Sequence, residues 1–240
     1  MRLDRLLANM GCGSRKDVKK LIRQGAVTVN GVTAGDSGMI IDENSAEVEV
    51  LGRRVEYKKY VYIMMNKPAG VLSATEDMGG KIVAAELIGE SYSHYELSPA
   101  GRLDIDSEGF LLLTNDGSFI HDIITPGRHV DKVYFCRVSG AVGNDDIEAF
   151  REGITLADGY KCMPARLELL SQSEYGCSVN VTICEGKFHQ VKRMFLARHM
   201  QVTYLKRVSI GGVTLDGNLA EGEYRELTEN ELERLRSAGI

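Results

Sequence analysis

Five runs between residues 110 and 210 constrain the fold most: FLLLT, VYFCRVSG, ARLELL, CSVNVTIC and VTYLKRVSI. All have the β-branched and aromatic composition of strands. An earlier run, YVYIMMN, has the same character. It ends at Asn66-Lys67-Pro68, because proline cannot extend a central ladder. Between and after the strands, DDIEAFREG, FHQVKRMFLARHM and TENELERLRSAG read as helices. In the second of these Val191, Met194 and Phe195 form the buried face. In the third, Thr228 and Glu231 stand at capping-box spacing. Neither an internal repeat nor a low-complexity tract interrupts the pattern. Residues 59–240 are therefore expected to form an α+β domain on a mixed, mainly antiparallel sheet with flanking helices.

Residues 1–58 have a different texture and predict a small separate module of two helices plus a hairpin. LDRLLANM is short and amphipathic, and Gly11 and Gly13 end it. Ser14 is a good N-cap for RKDVKKLIRQ, and Gly25 supplies the C-terminal stop. Val18, Leu21 and Ile22 make an apolar stripe at helical spacing, with Lys16, Lys19, Lys20 and Arg23 off it. AVTVNGVTAG places Asn30-Gly31 between β-branched residues, a strong hairpin signal. The stretch VEVLGRRVEYKKYVYIMMNKPAGV reads as a passage between domains, with the charged RRVEYKK separating the module from the first long strand.

Hydrophobic residues make up 43% of the 240, as in an ordinary globular protein. No stretch has the apolar length of a transmembrane helix, and MRLDRLLANMGCGSRKD lacks the apolar core of a signal peptide. A cytoplasmic protein without a membrane partner is expected. The five cysteines (Cys12, Cys136, Cys162, Cys177, Cys184) are scattered, odd in number and free of any C-x-x-C pair. They indicate neither a zinc site nor a disulfide framework, and most read as small buried apolar residues. No long heptad pattern appears, so a monomer is expected. Net charge is −5, which argues against uniform coating by nucleic acid. Yet residues 1–25 hold seven basic side chains (Arg2, Arg5, Arg15, Lys16, Lys19, Lys20, Arg23). Residues 185–207 hold six more (Lys187, Lys192, Arg193, Arg198, Lys206, Arg207). Two basic islands in an acidic chain are two places for a polyanion to touch, or else two solvated helix faces.

The stretch GRLDIDSEGF crowds Asp104, Asp106 and Glu108 into five positions. With Gly109 they match positions one, three, five and six of a calcium-binding EF-hand loop. The twelfth position should be glutamate and is Asn115, and the flanks are not helical. Asp104 and Asp106 also resemble the paired acids of a glycosidase. The plain alternative makes Asp106 and Ser107 turn residues and pairs Asp104 with Arg102. Residue types and spacing leave a nucleophilic carboxylate and a structural one equally open.

GRLDIDSEGFLLLTNDG, however, resembles the catalytic motif of the pseudouridine synthases, in the RsuA branch, which contains the small-subunit ribosomal RNA enzyme. The resemblance runs nearly end to end. RLDRLLANMGCGSRKDVKKLIRQGAVTVNG looks like an S4 RNA-binding module, and MNKPAGVLSAT like the branch's first catalytic-domain motif. DKVYFCRV is similar to its tyrosine motif and EGKFHQVKRMF to its basic motif. RVSIGGVTLDGNLAEGEYRELTENE resembles the closing segment of the small-subunit enzymes more than that of their large-subunit relatives.

The resemblance implies an S4-like domain at 1–58, a pseudouridine synthase domain at 59–240, and a site built on Asp104. Tyr134 matches the active-site tyrosine. The basic partner falls in HQVKRMF, where the best alignment puts it at Lys192, with the adjacent Arg193 as the alternative. Arg102 matches the arginine that helps hold the flipped base, where a planar guanidinium suits stacking. Arg15, Lys16, Lys19, Lys20 and Arg23 are expected to dock RNA through phosphate contacts, with Lys67, Lys187, His189 and Gln190 adding contacts near the site. The reaction detaches uracil from ribose at N1, rotates it and rejoins it through C5. It needs a base extruded from the stack and an ionised aspartate, which a nearby cation would favour. It needs neither cofactor nor metal, and none is expected. The implied partner is ribosomal RNA, 16S favoured, as free RNA or a partly assembled small-subunit particle. The alternatives are a 23S enzyme of the same branch and a non-catalytic RNA-binding ribosome-assembly protein.

Overall fold

A computed structural model describes residues 1–76 and 79–239 and divides them into two units. One comprises Met1–Val61 with Gly89–Glu96, the other Tyr62–Ile88 with Leu97 onward. Set beside the expected 58/59 division, residues 59–61 and the 89–96 segment go with the first unit.

The first unit opens with α1 (Leu3–Asn9) and α2 (Arg15–Arg23). Ser14 caps α2 as expected, its hydroxyl accepting from the Asp17 amide while the Asp17 carboxylate accepts from the Ser14 amide. Gln24 and Gly25 close the helix, Gly25 in the left-handed region. Strands β1 (Val27–Val29) and β2 (Val32–Thr33) flank Asn30-Gly31, both at positive φ as a type I′ hairpin requires. Strands β3 (Val48–Val50) and β4 (Arg53–Val55) complete a four-stranded sheet of order β2-β1-β3-β4. This corrects the reading of VEVLGRRV as an interdomain passage. It is a second hairpin, and Leu51 and Gly52 take positive φ at its turn. Leucine rarely adopts that conformation, so the dipeptide carries little turn signal. Leu3, Leu6, Leu7, Val18, Ile22, Val27, Val29 and Val48 pack into the unit's own core.

The second unit carries, in order, β5 (Tyr62–Lys67), β6 (Ser98–Pro99), β7 (Glu108–Thr114), α3 (Gly117–Ile124), β8 (Lys132–Val138) and α4 (Asn144–Glu152). Then come β9 (Arg166–Ser173), β10 (Gly176–Ile183), α5 (Gln190–Leu196), β11 (Val202–Ile210), β12 (Val213–Thr214), β13 (Tyr224–Glu226) and α6 (Glu229–Ser237). The strands form one nine-stranded sheet of path β13-β5-β7-β11-β8-β10-β9, with β12 on β11 and β6 on β7. Among these described strands only the β11–β7 pair is parallel. The expected mixed, mainly antiparallel sheet is thus present. All the strand runs read from the sequence lie in it, and β5 ends at Lys67 before Pro68.

Helix α3 and strand β13 were not anticipated. Asp116 caps α3 by accepting from the Phe119 amide, but the helix has only eight residues and too few turns to show a period. Phe119 and Ile123 from α3, Leu232 and Leu235 from α6, and Met64, Phe110, Leu112 and Ile210 from the sheet share one buried cluster. That cluster fixes β7, and with it the loop that precedes it.

Candidate active site

The loop from Arg102 to Ser107 carries Asp104, and more than half of its polar backbone groups are tied down. The Ser73 hydroxyl bonds both the amide and the carbonyl of Leu103, at 3.0 Å each. The Gly70 amide donates to the Ile105 carbonyl at 2.6 Å. The Lys67 ammonium donates to the Ser107 carbonyl at 2.7 Å and to Pro68 at 2.9 Å. The Ser107 amide closes a turn on the Asp104 carbonyl at 3.1 Å. Arg207, on β11, donates from Nε to the Phe110 carbonyl at 2.7 Å and from Nη1 to the Arg102 carbonyl at 3.4 Å. One guanidinium thus ties the start of the loop to the strand β7 that follows it. A site on a backbone so constrained is preorganised.

The three carboxylates divide their partners. Lys192 Nζ lies 3.0 Å from Asp104 Oδ2 and 2.6 Å from Asp106 Oδ1. Glu108 turns instead to the Tyr204 hydroxyl, accepting at 2.6 Å. Burial and that carboxylate push the Tyr204 hydroxyl up to about 12. An ammonium occupies the point where Asp104 and Asp106 converge, the arrangement of an ion pair and not of a calcium loop. Burial works against the Lys192 charge, but the hydrogen bonds to Asp106 and Asp104 outweigh it and hold its pKa above the usual lysine value. Asp106 is correspondingly lowered, chiefly by its hydrogen bond to Lys192. Arg102 is exposed, and its side chain is not the cation that pairs with Asp104.

Asp104, Ser107, Tyr134, Lys187, His189 and Gln190 line one small cleft of about 60 Å³, together with Leu103, Ile183, Val191 and Leu205. Tyr134 reaches it from β8, only 7% exposed. Its hydroxyl accepts from Arg207 Nη1 at 3.4 Å. His189, at the mouth, places Nε2 3.6 Å from Asp104 Oδ1.

Three expected site residues are used otherwise than anticipated. Arg193 points away from Asp104 and pairs with Asp158 at 2.5 Å. Lys67 is fully buried beneath the loop and has no face to offer RNA. Burial lowers its pKa to about 8, against the pull of Asp106, Glu108 and Asp104. Gln190 is 3% exposed and clamps its own loop: Nε2 donates to Glu185 at 2.6 Å, and Oε1 accepts from the Lys187 amide at 2.9 Å. Lys187 is exposed at the cleft, with its ammonium 4.9 Å from the Tyr160 ring centroid. In the first unit Arg15, Lys16, Lys19, Lys20 and Arg23 are all exposed along α2.

Arg207 was visible only as a member of a basic island. One signal could have singled it out. It alternates with Leu205 along β11, which puts a charge on the strand's buried face. It is 1% exposed, has no carboxylate partner among the described residues, and leaves Nη2 without a hydrogen bond. Such a buried cation is costly and is retained for what it holds.

A two-unit chain with a preorganised carboxylate paired to a lysine, and a tyrosine in the same cleft as that carboxylate, has the parts of an enzyme's site. Comparison with known proteins narrows the class. Residues 61–197 match the family model described as RNA pseudouridylate synthase, and residues 1–46 match the S4 domain. The "uncharacterized RNA pseudouridine synthase YtzG" of Bacillus subtilis (strain 168) is 47% identical, over 98% of both chains. The "ribosomal small subunit pseudouridine synthase A" of Vibrio cholerae is 40% identical, over 97% of this chain and 98% of that one. The "ribosomal large subunit pseudouridine synthase B" of Bacillus subtilis is 37% identical, over 98% and 96%. A crystal structure of a pseudouridylate synthase superposes with a TM-score of 0.68 at 36% identity, covering 98% of this chain and 99% of the other. The chain belongs to the RNA pseudouridylate synthase family, with an S4 domain at its N-terminus.

Proposed function

We propose that the chain converts a uridine of ribosomal RNA to pseudouridine, with Asp104 as the acting carboxylate. The observation that carries this reading is the 3.0 Å pair between Lys192 and Asp104 at a cleft that also holds Tyr134. The N1–C1′ bond of an extruded uridine breaks and a C5–C1′ bond forms. N1 gains a proton and C5 loses one, so the atoms balance without an external donor. Lys192 holds the carboxylate in place at the cleft. Tyr134 offers an apolar face to the detached ring and a hydroxyl able to relay the C5 proton. Arg102, exposed beside the cleft, fills the gap left by the extruded base. The exposed basic face of α2 holds a second RNA element through phosphates. Small-subunit RNA is the favoured substrate, on the similarity to the Vibrio cholerae enzyme and on the closing segment RVSIGGVTLDGNLAEGEYRELTENE. A partly assembled small-subunit particle, a monomeric protein and a cytoplasmic setting complete the reading.

The similarity to the Bacillus subtilis large-subunit enzyme supports a second target class, 23S RNA. One experiment tests both. Unmodified 16S and 23S transcripts and small-subunit assembly particles are incubated with the protein, and pseudouridine is mapped chemically. A new signal confined to 16S RNA is expected, absent with Asp104→Asn. Turnover by that variant would remove the assignment of Asp104, and a signal confined to 23S RNA would replace the substrate.

A further inference from the structure

We propose that the outer face of the Phe188 ring is a stacking site for a nucleobase flanking the target uridine. The inference rests on the reading of the cleft as a uridine site. Phe188 is 69% exposed although it is large and apolar. Its ring lies on the His189 imidazole, with centroids 3.8 Å apart and planes within 19°. His189 in turn stands 3.6 Å from Asp104. Carboxylate, imidazole and phenyl therefore form a column that begins in the cleft and ends in solvent.

The loop carrying the column is braced from within. Buried Glu185 accepts from the Tyr160 hydroxyl at 2.6 Å, the Met163 amide at 2.8 Å and Gln190 at 2.6 Å. Gln190 passes the constraint to the Lys187 amide, and Arg193 donates to the Phe188 carbonyl at 3.4 Å. His189 adopts the left-handed conformation at φ 49°, which re-aims the chain between Phe188 and α5. A phenyl held in water on a braced loop gains nothing for the fold. It suits a ligand with a flat apolar face. Extruding a uridine strips its neighbours of a stacking partner, and an aromatic ring beside the cleft restores one. Exposed Lys187, one residue away, suits the phosphate that accompanies such a base.

The test uses full-length protein with unmodified 16S and 23S transcripts. Phe188→Leu keeps apolar bulk but loses the π face, whereas Phe188→Trp enlarges it. The expected result is a KM raised roughly five- to hundredfold by leucine, with kcat nearly held and tryptophan restoring KM. Ultraviolet cross-linking should also join residue 188 to a nucleotide, a proximity read without turnover. A wild-type chain that cross-links there yet makes no pseudouridine would remove the reaction and keep the stack. A leucine variant with KM within about twofold of wild type overturns the proposal, as do equal losses for leucine and tryptophan.

Discussion

Lys192 holds its ammonium 3.0 Å from Asp104 while its neighbour Arg193 reaches the other way to Asp158. Adjacent residues on α5 differ by about 100° in direction, so only one of two basic side chains can face the cleft. Lys192→Met leaves Asp104 and Asp106 facing each other without a cation. We expect kcat to fall by about a hundredfold or more, and Lys192→Arg to recover part of it. Arg193→Met should cost less than about tenfold, since it removes only a half-exposed pair. Single-turnover pseudouridine formation measures all three. Equal losses at the two positions would mean that the lysine pair is not what matters.

Arg207 joins the start of the Asp104 loop, the strand β7 and the Tyr134 hydroxyl. Its backbone also lies against Gly109, where an added Cβ would come within 2.3 Å of the Arg207 carbonyl oxygen. With φ at +99° as well, Gly109→Ala should destabilise the protein strongly and lower its melting temperature. Arg207→Lys is the gentler probe. It keeps the charge but cannot span the two carbonyls and the hydroxyl. We expect kcat to drop by about a hundredfold with RNA affinity retained, because a displaced carboxylate and tyrosine harm chemistry more than binding.

The strand runs, the Ser14 cap, the Asn30-Gly31 turn and the Val191, Met194, Phe195 face could be read from the sequence because local chemistry fixes each of them. The Leu51-Gly52 hairpin could not, because the turn is imposed on a residue that disfavours it. The site divides in the same way. Asp104 and Tyr134 were reachable through motif resemblance. The choice of Lys192 over Arg193 needed the orientation of α5. The roles of Lys67 and Gln190 depend on burial, which a polar residue type conceals. Arg207 sits some hundred positions from the loop it binds, and only the parallel β7–β11 pairing brings the two together.

The basic face of α2 gives a separate handle on RNA. Arg15, Lys16, Lys19, Lys20 and Arg23 are all exposed, and Asp17 on the same helix is engaged with Ser14. Replacing Lys16, Lys19 and Lys20 by glutamine should weaken RNA binding and flatten its salt dependence. The slope of log affinity against log salt should fall by roughly 0.7 to 0.9 for each phosphate that the helix no longer neutralises. Binding titrations across a salt series measure it. An unchanged slope would take the RNA away from this helix.

Two buried lysines give the fold a pH signature. Lys67 is fully buried and Lys132 is 5% exposed, and burial lowers each to about 8 from 10.5. Arg207 adds to the effect on both by repulsion. Between those values each lysine holds more of its proton in the unfolded chain than in the folded one, so its contribution to stability rises with pH. The contribution is complete above the unfolded pKa and is lost as pH falls through about 8. Buried thiols such as Cys136 and Cys162, which burial pushes up, act in the opposite direction over the same interval, so the lysines are read by difference: from pH 8 to pH 10 the wild-type midpoint should show a rise equivalent to about 2–4 kcal/mol relative to a chain carrying both Lys67→Met and Lys132→Met. Arg207→Lys retains the charge nearby and should leave the rise in place. A midpoint that falls across this interval in wild type, with no difference from the double variant, would mean that neither lysine is held in a costly charged state.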